Sequence, residues 1–283
     1  MPGPSDPRER PIAVFDSGVG GLTVLHELLV QLPRESFVYF GDTARFPYGE
    51  RSRDELERFA MEVAEELLAR GAKLLVVACN SATAAALPAL RARMLQTTLG
   101  VDVLGVVRPE AAQAVTATRN GRIGLLATPA TIASGAYGEA VHAVDPYVDL
   151  VAVAAPGLAT LIQSDRPLDE RLVDEVRRHV TPLREAGVDT VILGCTHYPL
   201  IRPLLQRMLG RDVAIVTSGA ALARQVEHAL DSRGLASARA DGEGDYSFLC
   251  SGDAESFRAL ATRFLQLPLG PVERVTTTTE AAA

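Results

Sequence analysis

Short apolar runs alternate with amphipathic stretches along the chain. Pro11 to Phe15 is an apolar run that leads into the Gly-rich turn DSGVGG and then a helical stretch from Leu22 to Leu32. Ser36 to Phe40 predicts a second strand. From Ser52 to Arg70, Leu56, Phe59, Ala60, Val63 and Leu67 recur at helical spacing, and Gly71 supplies the stop. Leu74 to Ala78 is a continuous apolar strand, Ala82 to Leu95 is helical, and the rhythm continues from Val101 to about Val216. Strands that are apolar throughout, each followed by a helix, predict parallel sheets covered on both faces. Ala236 to Asp245 reads as a loop, and the tail from Pro268 as disordered toward its end.

The pattern repeats itself. LLARGAKLLVVACNSA lies over PLREAGVDTVILGCTHY: a helix ends in Gly71 or Gly187, and a cysteine follows eight residues later at the end of an apolar strand. Asn80 or Thr196 comes next, then a helix. IAVFDS, from Ile12, lies over IGLLAT, from Ile123, which sets Ser17 opposite Thr128. Two similar α/β units are therefore expected, each carrying a hydroxyl and a thiol at the carboxyl ends of its strands. In open parallel sheets ligands bind at that edge. If the units face each other, Cys79 and Cys195 meet across a cleft.

Composition narrows the function. The 283 residues carry a net charge of −7 and no basic stripe, which argues against nucleic acid and against an anionic membrane surface. The first ten residues, MPGPSDPRER, lack the basic start and apolar stretch of a secretory signal, and no apolar run is long enough to span a bilayer. A cytoplasmic protein is the expectation. Three cysteines, Cys79, Cys195 and Cys250, form neither a disulfide framework nor a zinc spacing, so no metal site is expected.

Each candidate residue has a plain reading beside a chemical one. Cys79 and Cys195 are either buried structural thiols or an acid/base pair. Inverting an amino acid requires a base on one face of Cα and an acid on the other, and thiols reach both forms near neutrality. Cys250, in FLCSGD, has no counterpart and reads as structural. Asp16 is either a helix cap or a group that binds a substrate ammonium and assists Cys79. The DSGVGG turn lacks the P-loop and Rossmann spacings, and suits a carboxylate as well as a phosphate. His197 is either a turn residue or the proton partner of Cys195. The segment GDTARFPYG is either a simple turn or a loop that closes Pro47, Tyr48 and Gly49 over a small ligand.

Over residues 11–267 the chain resembles the bacterial glutamate racemases. The resemblance is carried by FDSGVGGLTVL, YFGDTARFPYG, VVACNSATA, ATPATIASGAY, LGCTHYPL and SGDAESFRALATRFL, in that order. It implies catalysis without a cofactor by Cys79 and Cys195, with Cys79 acting on D-glutamate. It places Asp16, Ser17, Tyr48, Gly49, Asn80, Ser81, Thr196 and His197 at substrate-contacting positions, with Thr128 beside them. It also implies a homodimer that supplies D-glutamate for peptidoglycan. Finally, it implies an interleaved division: residues 8–103 with 217–274 as one domain, 104–216 as the other, and 1–7 and 275–283 as disordered tails.

Two positions depart from the family pattern. Where a Glu-Pro-Gly step is usual, this chain has Arg108, Pro109 and Glu110. Where a Cys-Pro segment usually carries a glutamate that assists the second cysteine, AAPGLATLIQS has Ala155 and Gln163. Gln cannot exchange a proton as a carboxylate does, so weaker assistance to Cys195 is expected. Two other readings stay open: a racemase of aspartate or another acidic amino acid, or a binding or regulatory protein that has lost catalysis. A pyridoxal-phosphate enzyme is disfavoured because the single lysine, Lys73, starts a strand.

Overall fold

The computed structural model describes residues 6–97, 100–164, 169–265 and 269–277. The first unit opens with β1 (Ile12–Asp16), α1 (Leu22–Gln31), β2 (Phe37–Gly41), α2 (Arg53–Ala69), β3 (Leu74–Val77), α3 (Asn80–Gln96) and β4 (Asp102–Gly105). The second contains α4 (Val107–Ala117), β5 (Arg122–Ala127), α5 (Pro129–Ala133), α6 (Ala136–Val144), β6 (Asp149–Ala154), α7 (Leu158–Gln163), α8 (Glu170–Glu185), β7 (Thr190–Gly194), α9 (Arg202–Leu209) and β8 (Ala214–Val216). The chain then forms α10 (Gly219–Arg233), β9 (Tyr246–Cys250), α11 (Ala254–Leu265) and β10 (Val272–Arg274).

These strands make two sheets, both entirely parallel. One runs β10-β9-β2-β1-β3-β4, the other β6-β5-β7-β8. The last two strands therefore return to the first sheet. The expected class holds: two α/β units, each a parallel sheet flanked by helices. The internal repeat also has a structural counterpart. β1 pairs with β3, with Phe15 opposite Val77, and β5 pairs with β7, with Ala127 opposite Gly194. The hydroxyl-bearing and thiol-bearing strand ends are thus neighbours in each sheet.

Alternation along the strands explains the core. Ala13 and Phe15 face α2 and α3 and pack with Leu56, Val63 and Leu90. Ile12 and Val14 face the other side and pack with Leu25, Leu28, Leu222 and Phe257. Both faces being covered, β1, β2 and β7 are buried at every residue. Helix starts are fixed locally. At α2, the Ser52 hydroxyl accepts from the Glu55 N–H while Glu55 accepts from the Ser52 N–H, which closes a capping box. At α8, Leu172, Val176, Val180 and Leu183 form the buried stripe of an otherwise charged helix.

The tails are more ordered than expected where they are described. Pro7–Glu9 is a 3₁₀ turn capped by Asp6, and Arg8 O accepts from Lys73 Nζ at 2.6 Å. Beyond β10, the Val275 N–H donates to Cys250 O at 2.8 Å and Thr277 is buried. A three-residue strand reading VER is too short and too polar to announce itself by periodicity. Residues 1–5 and 278–283 lie outside the described residues. The segment from 236 to 245 has no regular structure, as expected.

Candidate active site

The carboxyl ends of β1, β3, β5 and β7 converge. β1 ends in Asp16 and Ser17, β3 in Cys79, β5 in Thr128 and β7 in Cys195. A cavity of about 260 Å³ lies among them, lined by Ser17, Phe46, Pro47, Tyr48, Gly49, Cys79, Asn80, Ser81, Thr128, Ala159, Cys195, Thr196 and His197. Every site residue expected from the sequence is in that wall except Asp16, which lies directly behind it. Two lining residues were missed, Phe46 and Ala159. Phe46 belongs to the loop already singled out. Ala159 is on α7, and nothing in its sequence context marks it.

The two units meet closely because glycines let them. A Cβ on Gly20 would come within 2.4 Å of His197 Nδ1 and 2.5 Å of Thr196 Oγ1. One on Gly49 would lie 2.6 Å from Thr128 Cβ. These glycines of DSGVGG and FPYG are there for close approach, not for an unusual backbone angle.

Both thiols are free and buried. Cys79 is the N-cap of α3, with extended backbone, and its carbonyl accepts from the Thr83 N–H at 2.8 Å. Burial and the neighbouring Asp16 push its thiol up to about 12, although the Ala82 and Ser17 N–H groups and the Ser17 hydroxyl act the other way. Burial raises Cys195 further, opposed by the His197 and Tyr198 N–H groups. Both groups are therefore thiols at neutral pH. A positive charge brought into the cavity favours either thiolate.

Asp16 is completely buried. Its Oδ1 accepts from the Thr196 hydroxyl at 3.1 Å, and its Oδ2 from the Gly18 N–H at 3.1 Å. Burial nevertheless raises its carboxyl. The contact to Thr196 joins the first β-strand of one unit to the residue after the cysteine of the other. On the opposite wall Ser81, Thr128 and Thr131 form a ring of hydroxyls at 2.8, 2.9 and 3.1 Å. Their hydrogens rotate, so the ring turns donors toward an anion when one arrives.

His197 stands beside Cys195, with Nδ1 4.0 Å from Sγ. Its Nε2 donates to Gln163 Oε1 at 2.9 Å. An amide oxygen only accepts, which fixes the hydrogen on Nε2 and leaves the Nδ1 lone pair toward the thiol. The rings of Phe46 and Phe264 flank the imidazole, at 5.3 and 6.1 Å between centroids. Burial there pushes the imidazolium down to about 4, so the ring is neutral at physiological pH.

The other expectations find definite places. The Tyr48 hydroxyl is committed to Asp42, which also holds Arg45 at 2.7 Å and accepts from Ser251 at 2.6 Å. That buried cluster holds the 42–50 loop against the cavity. Cys250 is at the end of β9, outside the cavity, its thiol donating to Gly252 O at 3.5 Å. Lys73 is at the far end of β3 from Cys79, its ammonium on Glu35, Arg8 O and Leu235 O. Of the departures at 108–110, Arg108 is exposed. Glu110 is the residue that matters: it is fully buried, and its carboxyl accepts from Asn80, Tyr137 and Ser218. Burial raises it to about 7.

Known proteins are similar to this chain in sequence and fold. The model of the Asp/Glu/Hydantoin racemase family matches residues 22–243. The chain belongs to this family. It is 42% identical to a glutamate racemase of Acidothermus cellulolyticus over 265 residues, covering 94% of this chain and 98% of that protein. Among solved structures it is similar to a glutamate racemase isoform from Bacillus anthracis, with a TM-score of 0.88, 38% identity and 95% and 98% of the two chains covered. It is also similar to the Francisella tularensis glutamate racemase solved in complex with D-glutamate, with a TM-score of 0.87, 28% identity and 96% and 99% covered. The chain is an amino-acid racemase. Among the described residues no helix is long and apolar enough to cross a membrane.

Proposed function

We propose that this racemase interconverts L- and D-glutamate by passing the Cα proton between Cys79 and Cys195. One observation carries the reading: two free thiols, at corresponding strand ends of two similar units, line a single small cavity. Substrate enters with its Cα between them. Cys79, as thiolate, removes the proton of D-glutamate while Cys195 donates to the other face. For L-glutamate the roles exchange. His197 takes the proton of Cys195 through Nδ1 and returns it. Asp16, raised by burial and adjacent to Cys79, is placed to do the same on its side or to receive the ammonium. Ser17, the Ser81–Thr128 hydroxyls, Thr196 and the Tyr48–Gly49 backbone hold the carboxylates. The chain's own side chains account for both proton transfers, and no cofactor enters the scheme.

The domain division that fits this reading is 8–103 with 217–274 facing 104–216, with the cleft between them as the site. The same reading makes the protein a cytoplasmic homodimer that supplies D-glutamate to the cell wall. Circular dichroism of either enantiomer tests the chemistry. Cys79→Ser and Cys195→Ser should each lose on the order of a thousandfold or more in kcat, because a serine hydroxyl is too weak an acid to serve. Normal turnover by either variant would sink the two-thiol scheme.

A further inference from the structure

Glu110 has no place in the scheme so far, yet it is a fully buried carboxyl near the cavity that accepts from three side chains. Three elements send donors to it. Ser218, just before α10, donates to Oε1. Tyr137, on α6, donates to Oε2. Asn80, the first residue of α3 and the neighbour of Cys79, donates to Oε2 from Nδ2 at 3.2 Å. Asn80 Nδ2 also donates to the Tyr137 hydroxyl oxygen at 2.8 Å.

Both Nδ2 hydrogens are therefore used on the side away from the substrate. Asn80 is 1 % exposed and lines the cavity, and its Oδ1 has no partner among the described residues. A buried amide oxygen left unmatched is destabilising, so the arrangement calls for a donor from outside the protein. A glutamate molecule offers one donor group, its ammonium, and two carboxylates that only accept. An amide can turn end for end, and turning this one would offer a donor instead. In its ionised form, which predominates above about pH 7, the Glu110 carboxylate behind it prevents that, because it can only accept.

We propose that Glu110 is a positioning residue for racemisation: its carboxylate holds the Asn80 amide with nitrogen turned inward, so that Oδ1 receives the substrate ammonium beside Cys79. This inference rests on the cavity being the glutamate site. The buried position is costly for a charge, and three donors on two oxygens offset that cost. Through Ser218 the same carboxyl also fixes the point where the chain returns from the second sheet to the first.

A double-mutant cycle tests the coupling. Glutamate racemisation is followed by circular dichroism for the wild type, Glu110→Gln, Asn80→Ala and the double variant, with thermal melts of each. Glu110→Gln should lower kcat/KM by about tenfold, the size expected for losing one hydrogen bond to an ionic group. Most of the loss should fall in KM, since the ammonium contact exists before the transition state. In the Asn80→Ala background the same change should cost nothing further. A loss that persists in full in that background, or no loss at all, overturns the proposal. If Glu110→Gln does not fold, Tyr137→Phe replaces it. That change removes only the hydroxyl that shares Nδ2. Its loss should likewise vanish in the Asn80→Ala background, and a loss that persists there, or no loss at all, again overturns the proposal. A wild type that leaves glutamate unchanged defeats the reading of the cavity itself, whereas an active wild type with an additive cycle defeats this inference alone.

Discussion

Replacing Gln163 by glutamate probes the asymmetry of the site most directly. In the native protein Gln163 Oε1 accepts from His197 Nε2 at 2.9 Å, and burial holds the imidazolium at about 4. A carboxylate there places a negative charge about 4 Å from the positive imidazolium. At an effective dielectric of about 20 that attraction is worth roughly 4 kcal/mol, or about three pH units on the histidine. The imidazolium then titrates near ~7, and His197 becomes a far stronger base toward Cys195. The expected gain in kcat/KM for Gln163→Glu is about a hundredfold, the lower end of the usual range for a positioned general base. The gain must be equal in both directions. Enantiomers have the same free energy in water, so the ratio of the two kcat/KM values is fixed at unity for any variant, and a directional imbalance shows only in the separate kcat and KM values. The assay is circular dichroism from both enantiomers between about pH 6 and 9. The variant's kcat/KM profile should gain an ionisation near neutrality that the wild type lacks. An unchanged kcat/KM together with an unchanged profile would refute the role given to His197.

Other consequences follow from the same geometry. Gly20→Ala drives a methyl group to within 2.4 Å of His197 Nδ1, so kcat should fall about a hundredfold, as for a catalytic group displaced by about an ångström. Activity within twofold of wild type would show that the units separate freely. Because Cys79 is held up near 12, its alkylation by iodoacetamide, read by mass spectrometry, should rise about tenfold per pH unit through pH 9. A plateau near the ordinary thiol value of about 8.5 would contradict that. Lys73→Met strands the buried Glu35 carboxylate, which the ammonium holds at 2.5 Å. It should cost about 3–5 kcal/mol in denaturant unfolding and leave kcat/KM unchanged. A change of less than about 1 kcal/mol would mean water reaches Glu35.

The parts of the site that were legible in the sequence are those that repeat. Gly71 and Gly187 stop equivalent helices, and the apolar strands after them deliver Cys79 and Cys195 to equivalent edges. Their continuous apolar runs located those strands, because both of their faces are covered. Glu110 was not legible. It sits in RPEAAQAV, where a glutamate on a short helix ordinarily faces water, and only the approach of α3, α6 and Ser218 encloses it. The departure at 108–110 covers three residues, and it took the structure to show that the side chain with consequences is Glu110. Gln163 was found by its register with the family pattern, but its hydrogen bond to His197 required the structure. Ala159 and Phe46 depend on how α7 and the 42–50 loop approach, and no local pattern encodes that. β10 lacks the length for a periodic signal, and its pairing with β9 becomes visible only when the sheet is assembled.

Proton NMR of L- and D-glutamate in D₂O with the wild-type protein, and aspartate in parallel, tests most directly whether this cavity moves the Cα proton of glutamate between two faces. The expected result is loss of the Cα–H signal from both glutamate enantiomers, with deuterium in the inverted product, and no comparable loss from aspartate. Retention of the Cα–H signal by either glutamate enantiomer, or equal exchange of aspartate, would contradict it.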